Sequence, residues 1–255
     1  MWTLRLLALG LALLPGLRAG PPYLTDDPEP VDFRHGEAYL FATGDRTDVG
    51  AAVNGPAVEL NYGVWPDTQL HLVLPVARFT PAGGATVSGP GDAEFGVKYR
   101  FARETAARPQ AGLFPMIELP TGNADRGLGN GRAWFRVPLW LQKSWGPWTT
   151  YGGGGEAFNS APGQRNHAFG GWLLQRDLGS HLTLGGELFA QAADAVDGRG
   201  FAAVNLGGSY HFNGGFSLLF SAGRSVRGER HTLWYLALYW TGGPAAKIQT
   251  IGSVR

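Results

Sequence analysis

Asp92-Ala93-Glu94-Phe95-Gly96-Val97-Lys98-Tyr99-Arg100-Phe101 alternates without a fault over ten residues. Ala93, Phe95, Val97, Tyr99 and Phe101 fall on one face of an extended chain, and Asp92, Glu94, Gly96, Lys98 and Arg100 fall on the other. Period two is the signature of a strand with one apolar and one polar face. The same rhythm sets Val58, Leu60, Tyr62 and Val64 against Glu59, Asn61 and Gly63, and Leu70, Leu72, Leu74 and Val76 against Gln69 and His71. Further along, Ala133, Phe135, Val137, Leu139 and Leu141 oppose Arg132, Arg136 and Gln142. Leu182, Leu184 and Leu188 oppose His181, Thr183 and Glu187, and Val204, Leu206 and Tyr210 oppose Asn205, Ser209 and His211.

Extended outward, the pattern predicts strands over 36–44, 56–65, 68–79, 91–102, 110–121, 132–145, 147–158, 167–178, 180–192, 200–212, 215–224 and 231–240. Several exceed the length usual in globular sheets and match the roughly 9–11 residues that a tilted membrane strand requires. The connections alternate in length. Longer ones fall at 45–55, 80–90, 122–131, 159–166, 193–199 and 225–230, and shorter ones at Pro66-Asp67, 103–109, Gly146, Gly179 and Asn213-Gly214. Short turns at one end and longer loops at the other are the habit of outer-membrane barrels. The reading is therefore all-β, a transmembrane antiparallel β-barrel of about twelve strands over residues 36–240, with 241–255 as a tail. A soluble β-sandwich also alternates. Here, however, the polar face mixes large charged side chains with glycines, as a lumen does, and aromatics such as Trp65, Trp145, Trp148, Tyr239 and Trp240 gather near strand ends, where membrane interfaces lie.

Composition narrows the compartment. Arg5 precedes an apolar run from Leu6 to Leu17, broken by Pro15 and followed by Arg18-Ala19. About 20 apolar residues are needed to cross a bilayer as a helix, so this shorter run reads as a secretory signal over residues 1–19. With 40 glycines and 17 prolines there is little room for long helices, and with no cysteine there is neither a disulfide nor a thiolate site. The net charge of +1, from 21 basic and 20 acidic residues, gives no electrostatic case for nucleic acid. Neither a cofactor nor a metal is expected: clustered Asp26, Asp27, Glu29 and Asp32 suit a hard cation in type, but their spacing matches no calcium loop.

After the signal the chain reads Gly20-Pro21-Pro22-Tyr23-Leu24-Thr25-Asp26-Asp27-Pro28-Glu29-Pro30-Val31-Asp32, then His35-Gly36-Glu37. This string resembles the mature start of the outer-membrane transporter family named for the MetA pathway of phenol degradation. The resemblance implies a barrel that moves small, hydrophobic or aromatic compounds. It also implies outer-membrane lipid and the barrel-assembly machinery as partners, with the solute unnamed.

Residues 20–35 precede the first strand and form either a proline-stiffened solvated leader or a segment that enters the lumen and pairs with basic groups there. Lumen-lining candidates are Glu59, Glu94, Lys98, Arg100, Glu118, Arg132, Arg136, Glu156 and Glu187, able to line a solute path or to pair and fill the interior. Ser209 and His211 share a face and are the one pair with the elements of a nucleophilic dyad, but no Gly-x-Ser-x-Gly or His-Glu-x-x-His motif accompanies them, so no catalysis is expected. Three functions follow in order: a channel, a structural or ligand-binding barrel closed by paired charges, and a lipid-modifying enzyme.

Overall fold

The computed structural model describes residues 22–213 and 215–244. The predicted signal, Gly214 of the expected hairpin and residues 245–255 of the expected tail lie outside the described residues.

Strand β1 (Gly36–Thr47) pairs with β2 (Gly50–Trp65), and β2 with β3 (Thr68–Pro81). Strand β3 then pairs with two collinear pieces, β4 (Val87–Pro90) and β5 (Ala93–Ala102). Two further pieces, β6 (Gln110–Leu113) and β7 (Met116–Leu119), lie together between β5 and β8 (Trp134–Trp145). The remaining strands follow as neighbours: β9 (Trp148–Phe158), β10 (His167–Asp177), β11 (Leu182–Gln191), β12 (Phe201–Asn213), β13 (Phe216–Gly228) and β14 (Thr232–Gly242). Strand β14 returns to β1, from Gly36 opposite Gly242 to Arg46 opposite Thr232. Counting each interrupted pair once, the sheet is a closed, antiparallel barrel of twelve strands, as the periodicity predicts.

Closure pairs β14 with β1, so the long strands are paired on both sides, while the rim piece β4 pairs with β3. Side chains obey the opposite of the soluble rule. The outward rows hold exposed Leu40, Leu60, Leu188 and Leu206, whereas Glu187, Lys98, His71 and Asn205 are buried inside. Cross-strand pairs build the outer wall row by row: Leu40 faces Val58, Leu60 faces Leu72, and the rings of Phe135 and Phe158 stack at 4.8 Å.

The predicted strand 110–121 is interrupted, and the loop expected at 80–90 holds β4, which a break at Gly91-Asp92 separates from β5. At Phe114-Pro115 the proline has no N–H to donate and Phe114 turns into the lumen. The ladder is carried across the gap by Phe114 N–H to Pro138 O, 3.2 Å, and Val97 N–H to Pro115 O, 3.0 Å. At Gly91-Asp92 the chain bends so that the Asp92 carboxylate can accept from Gly122 N–H and Asn130 N–H, at 2.8 and 2.5 Å. That pins the loop 120–133 over the rim, with Leu128 buried beneath it.

The loop expected at 45–55 is mostly strand. Strands β1 and β2 continue to a turn at Asp48-Val49, with Thr47 opposite Gly50. The glycine, asparagine and proline of residues 50–56 suggest a loop by local propensity, but pairing on both sides keeps residues 50–54 extended, and Gly55-Pro56 form an irregularity that both ladders skip. Strand β13 likewise runs through Gly228, which shortens the expected 225–230 connection to residues 229–231.

Candidate functional site: a leader seated in the lumen

Residues 22–35 cross the inside of the barrel. The solvated-leader alternative is thereby removed, because Thr25 and Asp27 are wholly buried and Val31 is 2 % exposed. The prolines hold the segment extended, so its backbone groups find partners on the wall. Pro22 O accepts from Ser221 Oγ on β13 at 2.5 Å. The Glu187 carboxylate on β11 accepts from Leu24 N–H at 3.3 Å, from Thr25 N–H, and from the Asn205 amide. Val31 N–H donates to Gln69 Oε1 on β3 at 2.8 Å. Arg34 N–H donates to Gly63 O at 2.7 Å, and Gly63 N–H returns to His35 O at 3.0 Å, so the leader ends as a parallel bridge beside β2.

The leader's carboxylates meet the wall's cations. Lys98 Nζ lies 2.9 Å from Asp26 Oδ1 and 3.6 Å from Asp27 Oδ1, over the Phe114 ring at 4.8 Å. Glu29 receives the amides of Gln110 and Gln142 at 3.2 and 3.3 Å, with Arg100 Nη1 at 3.6 Å. Complete burial pushes the Asp27 carboxyl well above the usual carboxylate range, against the pull of Lys98. At the turn below, Arg100 and Arg103 clamp Asp67 at 2.7 and 2.8 Å. Burial alone would raise the Asp67 carboxyl, but the hydrogen bonds from Arg103 and Arg100 outweigh it and hold it below its usual value.

Lumen glycines make room for this seat. A Cβ on Gly63 would strike the Asp32 carbonyl, and one on Gly171 would strike the Thr25 hydroxyl. A side chain at Gly63 meets leader backbone and displaces it, whereas one at Gly171 requires the Thr25 side chain to turn away.

Above the leader a second network runs across the wall. Asn61 Nδ2 donates to Glu59 Oε1 at 2.8 Å, and its oxygen meets His71 Nδ1 at 2.8 Å. His71 Nε2 meets Glu94 Oε1 at 3.0 Å, and Glu94 is also paired with Arg136. Glu118 stands opposite Glu94 on the same face. Of the predicted lumen residues, Glu59, Glu94, Lys98, Arg100, Glu118, Arg136 and Glu187 therefore face inward.

Two do not. Glu156 lies on the outward row, opposite Val137 on one side and Ala168 on the other. The run Gly152–Gly155 carries no side chains, so it conceals which face the next residue takes; the Phe135–Phe158 stack decides it. Arg132 precedes β8 in the rim loop, where its Nη1 donates to Ser160 O at 3.2 Å. Sequence reading places Gln69, Gln142 and Asn205 on polar faces without naming them as holders of the leader, and passes over Gln110; Gln69 stands opposite Lys98 and Asn205 opposite Glu187, whereas Gln110 and Gln142 stand opposite each other.

Ser209 and His211 do meet, Oγ to Nε2 at 3.0 Å. The other imidazole nitrogen faces the Ser217 hydroxyl at 2.8 Å rather than a carboxylate.

What the leader leaves open is a cavity of about 1610 Å³. It extends from Gly179, His181 and His211 at the short-turn end to Asn54, Pro75 and Asp92 near the long-loop end, and leader residues Tyr23, Leu24 and Asp26 border it. Among the described residues the leader's contacts run from β2 round to β13, and the β14–β1 wall beside them is aromatic. There Tyr39 and Tyr239 pack at 4.7 Å, and both hydroxyls donate to Glu37, at 3.1 and 2.9 Å.

The fold is similar to that of solved outer-membrane barrels. A COG4313 outer membrane channel from Pseudomonas putida F1 is similar over 85 % of this chain and 98 % of its own, with a TM-score of 0.72 and 16 % identity. The NanC porin is similar over 80 % of this chain and 98 % of its own, with a TM-score of 0.55 and 6 % identity. No family profile matches the sequence, and no curated protein matches it.

At the long-loop rim, His231 Nδ1 meets Asp45 Oδ2 at 2.8 Å, with Glu229 at 3.9 Å and the Phe201 ring at 4.0 Å. Burial lowers the imidazole, but the hydrogen bond and charge of Asp45 outweigh it and raise His231 above its usual value. A raised histidine contributes stability fully below its unfolded pKa of about 6.5 and loses it as pH rises through the folded value. The β13–β14 hairpin tip is thus expected to resist proteolysis better at pH 5.5 than at pH 8.5, after correction for protease activity. His231→Gln should abolish that difference.

Proposed function

We propose that the chain is a bacterial outer-membrane channel that passes small, apolar or aromatic molecules along the aromatic β14–β1 wall beside its seated leader. The observation that carries this is the cavity itself: one face is built from Tyr39, Phe41 and Tyr239, with Phe114, Trp140 and Phe169 across from them. Aromatic faces accept planar apolar solutes, while the buried leader closes off most of the remaining section. The likeness of fold to a Pseudomonas putida outer membrane channel supports the reading, as does the leader string. Outer-membrane lipid around the apolar wall, and an assembly machinery that reads the aromatic end of β14 at Tyr239-Trp240, complete the picture of its partners.

The electrical character follows from the lining. Asp26, Glu29, Asp32, Glu37, Glu59, Asp92, Glu94, Glu118 and Asp177 border the cavity, against Lys98 and Arg136, a balance of nine carboxylates to two permanent cations. A passage so lined concentrates cations. Purified protein in planar bilayers under a potassium chloride gradient is expected to show a reversal potential of cation-selective sign, and liposomes carrying it should admit small aromatic solutes faster than sugars of equal mass. Anion selectivity would refute the charge argument, and equal rates for the two solute classes would refute the aromatic path.

The second reading, a barrel sealed by its leader, is favoured by the total burial of Thr25 and Asp27. It predicts no flux until the leader is displaced.

A further inference from the structure

At the long-loop rim of β13, β14 and β1 the charges are sorted by face. Arg46 stands opposite Thr232, and Thr232 stands opposite Arg224, so the three form one outward row. Arg227 pairs with Ala202, which stands opposite Ala190 on the outward row; a β-bulge here makes Val226 the extra residue of β13 and returns Arg227 to that row. All three arginines are exposed. Several of the rim's carboxylates are held by other groups: Asp45 and Glu229 hold His231, Glu229 also accepts from Arg199 N–H, Asp194 accepts from Gln191, and Asp48 lies 3.9 Å from Arg230.

The level of this row in the wall is marked by its neighbours. One row below it, Gly44, Trp234 and Ala222 are aligned, with the Trp234 indole lying across Gly44. Below that come Ala42, Leu236 and Phe220, then Leu40, Leu238 and Leu218. Tryptophan beside an apolar band marks the edge of the hydrocarbon, so the arginines stand at headgroup height. Arg46 and Arg224 are two strands apart, roughly 10 Å. Guanidinium forks at that spacing suit phosphate oxygens, which they bind in bidentate fashion.

We propose that Arg46, Arg224 and Arg227 form a binding site for the phosphates of a lipid headgroup in the leaflet on the long-loop side. The site rests on the barrel's place in a membrane and is independent of what the lumen passes. It turns the β13–β14–β1 sector, where the barrel closes, toward an anionic lipid.

The test uses the full chain purified in neutral detergent with divalent ions chelated. Its unfolding temperature is followed by gel heat-modifiability while diphosphorylated lipid A, its dephosphorylated form, or inorganic phosphate is added. The phosphorylated lipid should raise the midpoint, and the other two should not. Each basic group near an anionic headgroup is worth on the order of fivefold, so the triple variant Arg46→Gln, Arg224→Gln, Arg227→Gln should need about a hundredfold more lipid. Arg176→Gln, outward at the other rim and stacked on Trp148 at 5.1 Å, should behave as the parent. An equal rise with dephosphorylated lipid overturns the proposal, as does a rise of the same size with inorganic phosphate. Should the triple variant fail to fold, the comparison of the two lipids on the parent chain decides alone. A cation-selective flux that survives while this test fails would leave the channel reading intact.

Discussion

Lys98→Ala is expected to unseat the leader. Lys98 is 5 % exposed, and its ammonium sits between Asp26 and Asp27, the second of which is wholly buried. Removing one partner of a buried ion pair leaves an uncompensated charge and costs about 3–5 kcal/mol. The barrel wall does not depend on this contact, since β5 keeps its ladders to β3, β6 and β7. The loss therefore falls on the leader, which can escape its penalty by leaving. Larger single-channel conductance and protease cleavage within residues 22–35 should result, with heat-modifiability preserved. Adding Asp26→Asn and Asp27→Asn to the Lys98→Ala chain should restore the seated state in part, because neutral amides are cheaper to bury. Unchanged conductance and an intact leader in Lys98→Ala would show that the ion pair does not hold the segment.

Glu187→Ala attacks the other anchorage. This carboxylate is 1 % exposed and takes the backbone N–H groups of Leu24 and Thr25 together with the Asn205 amide. An orphaned buried donor costs about 1–3 kcal/mol, so two backbone N–H groups and an amide sum to a few kcal/mol. Here only the first residues should come free, because Val31 remains tied to Gln69 and Arg34 to Gly63. Hydrogen exchange should show lost protection at Leu24 and Thr25 and retained protection at Val31 and Arg34. Both substitutions act through one connected segment, so the Lys98→Ala, Glu187→Ala chain is expected to lose less than the sum of the two. Full protection at Leu24 in Glu187→Ala would refute the assignment of Glu187 as an anchor.

The aromatic wall was half legible. Tyr39 and Tyr239 lie at opposite ends of the barrel sequence, 200 residues apart, and each reads as an interfacial aromatic near a strand end. Closure of β14 onto β1 brings them face to face, with Glu37 beneath both hydroxyls. No local pattern announces that contact, because it depends on which strands meet when the sheet closes.

The sequence by itself determined the barrel, the number of its strands and the inward face of seven of nine charged positions. The physical reason is that period two is a local property, written residue by residue and enforced by water on one side and apolar surroundings on the other. Where four glycines removed the pattern, the face of Glu156 was lost with it. Tertiary structure alone decided the place of the leader. Its carboxylates have no period and suit either solvent or a lumen, and the choice was made by Lys98, Glu187 and Gln69, held on three strands that only the closed barrel brings around one extended segment.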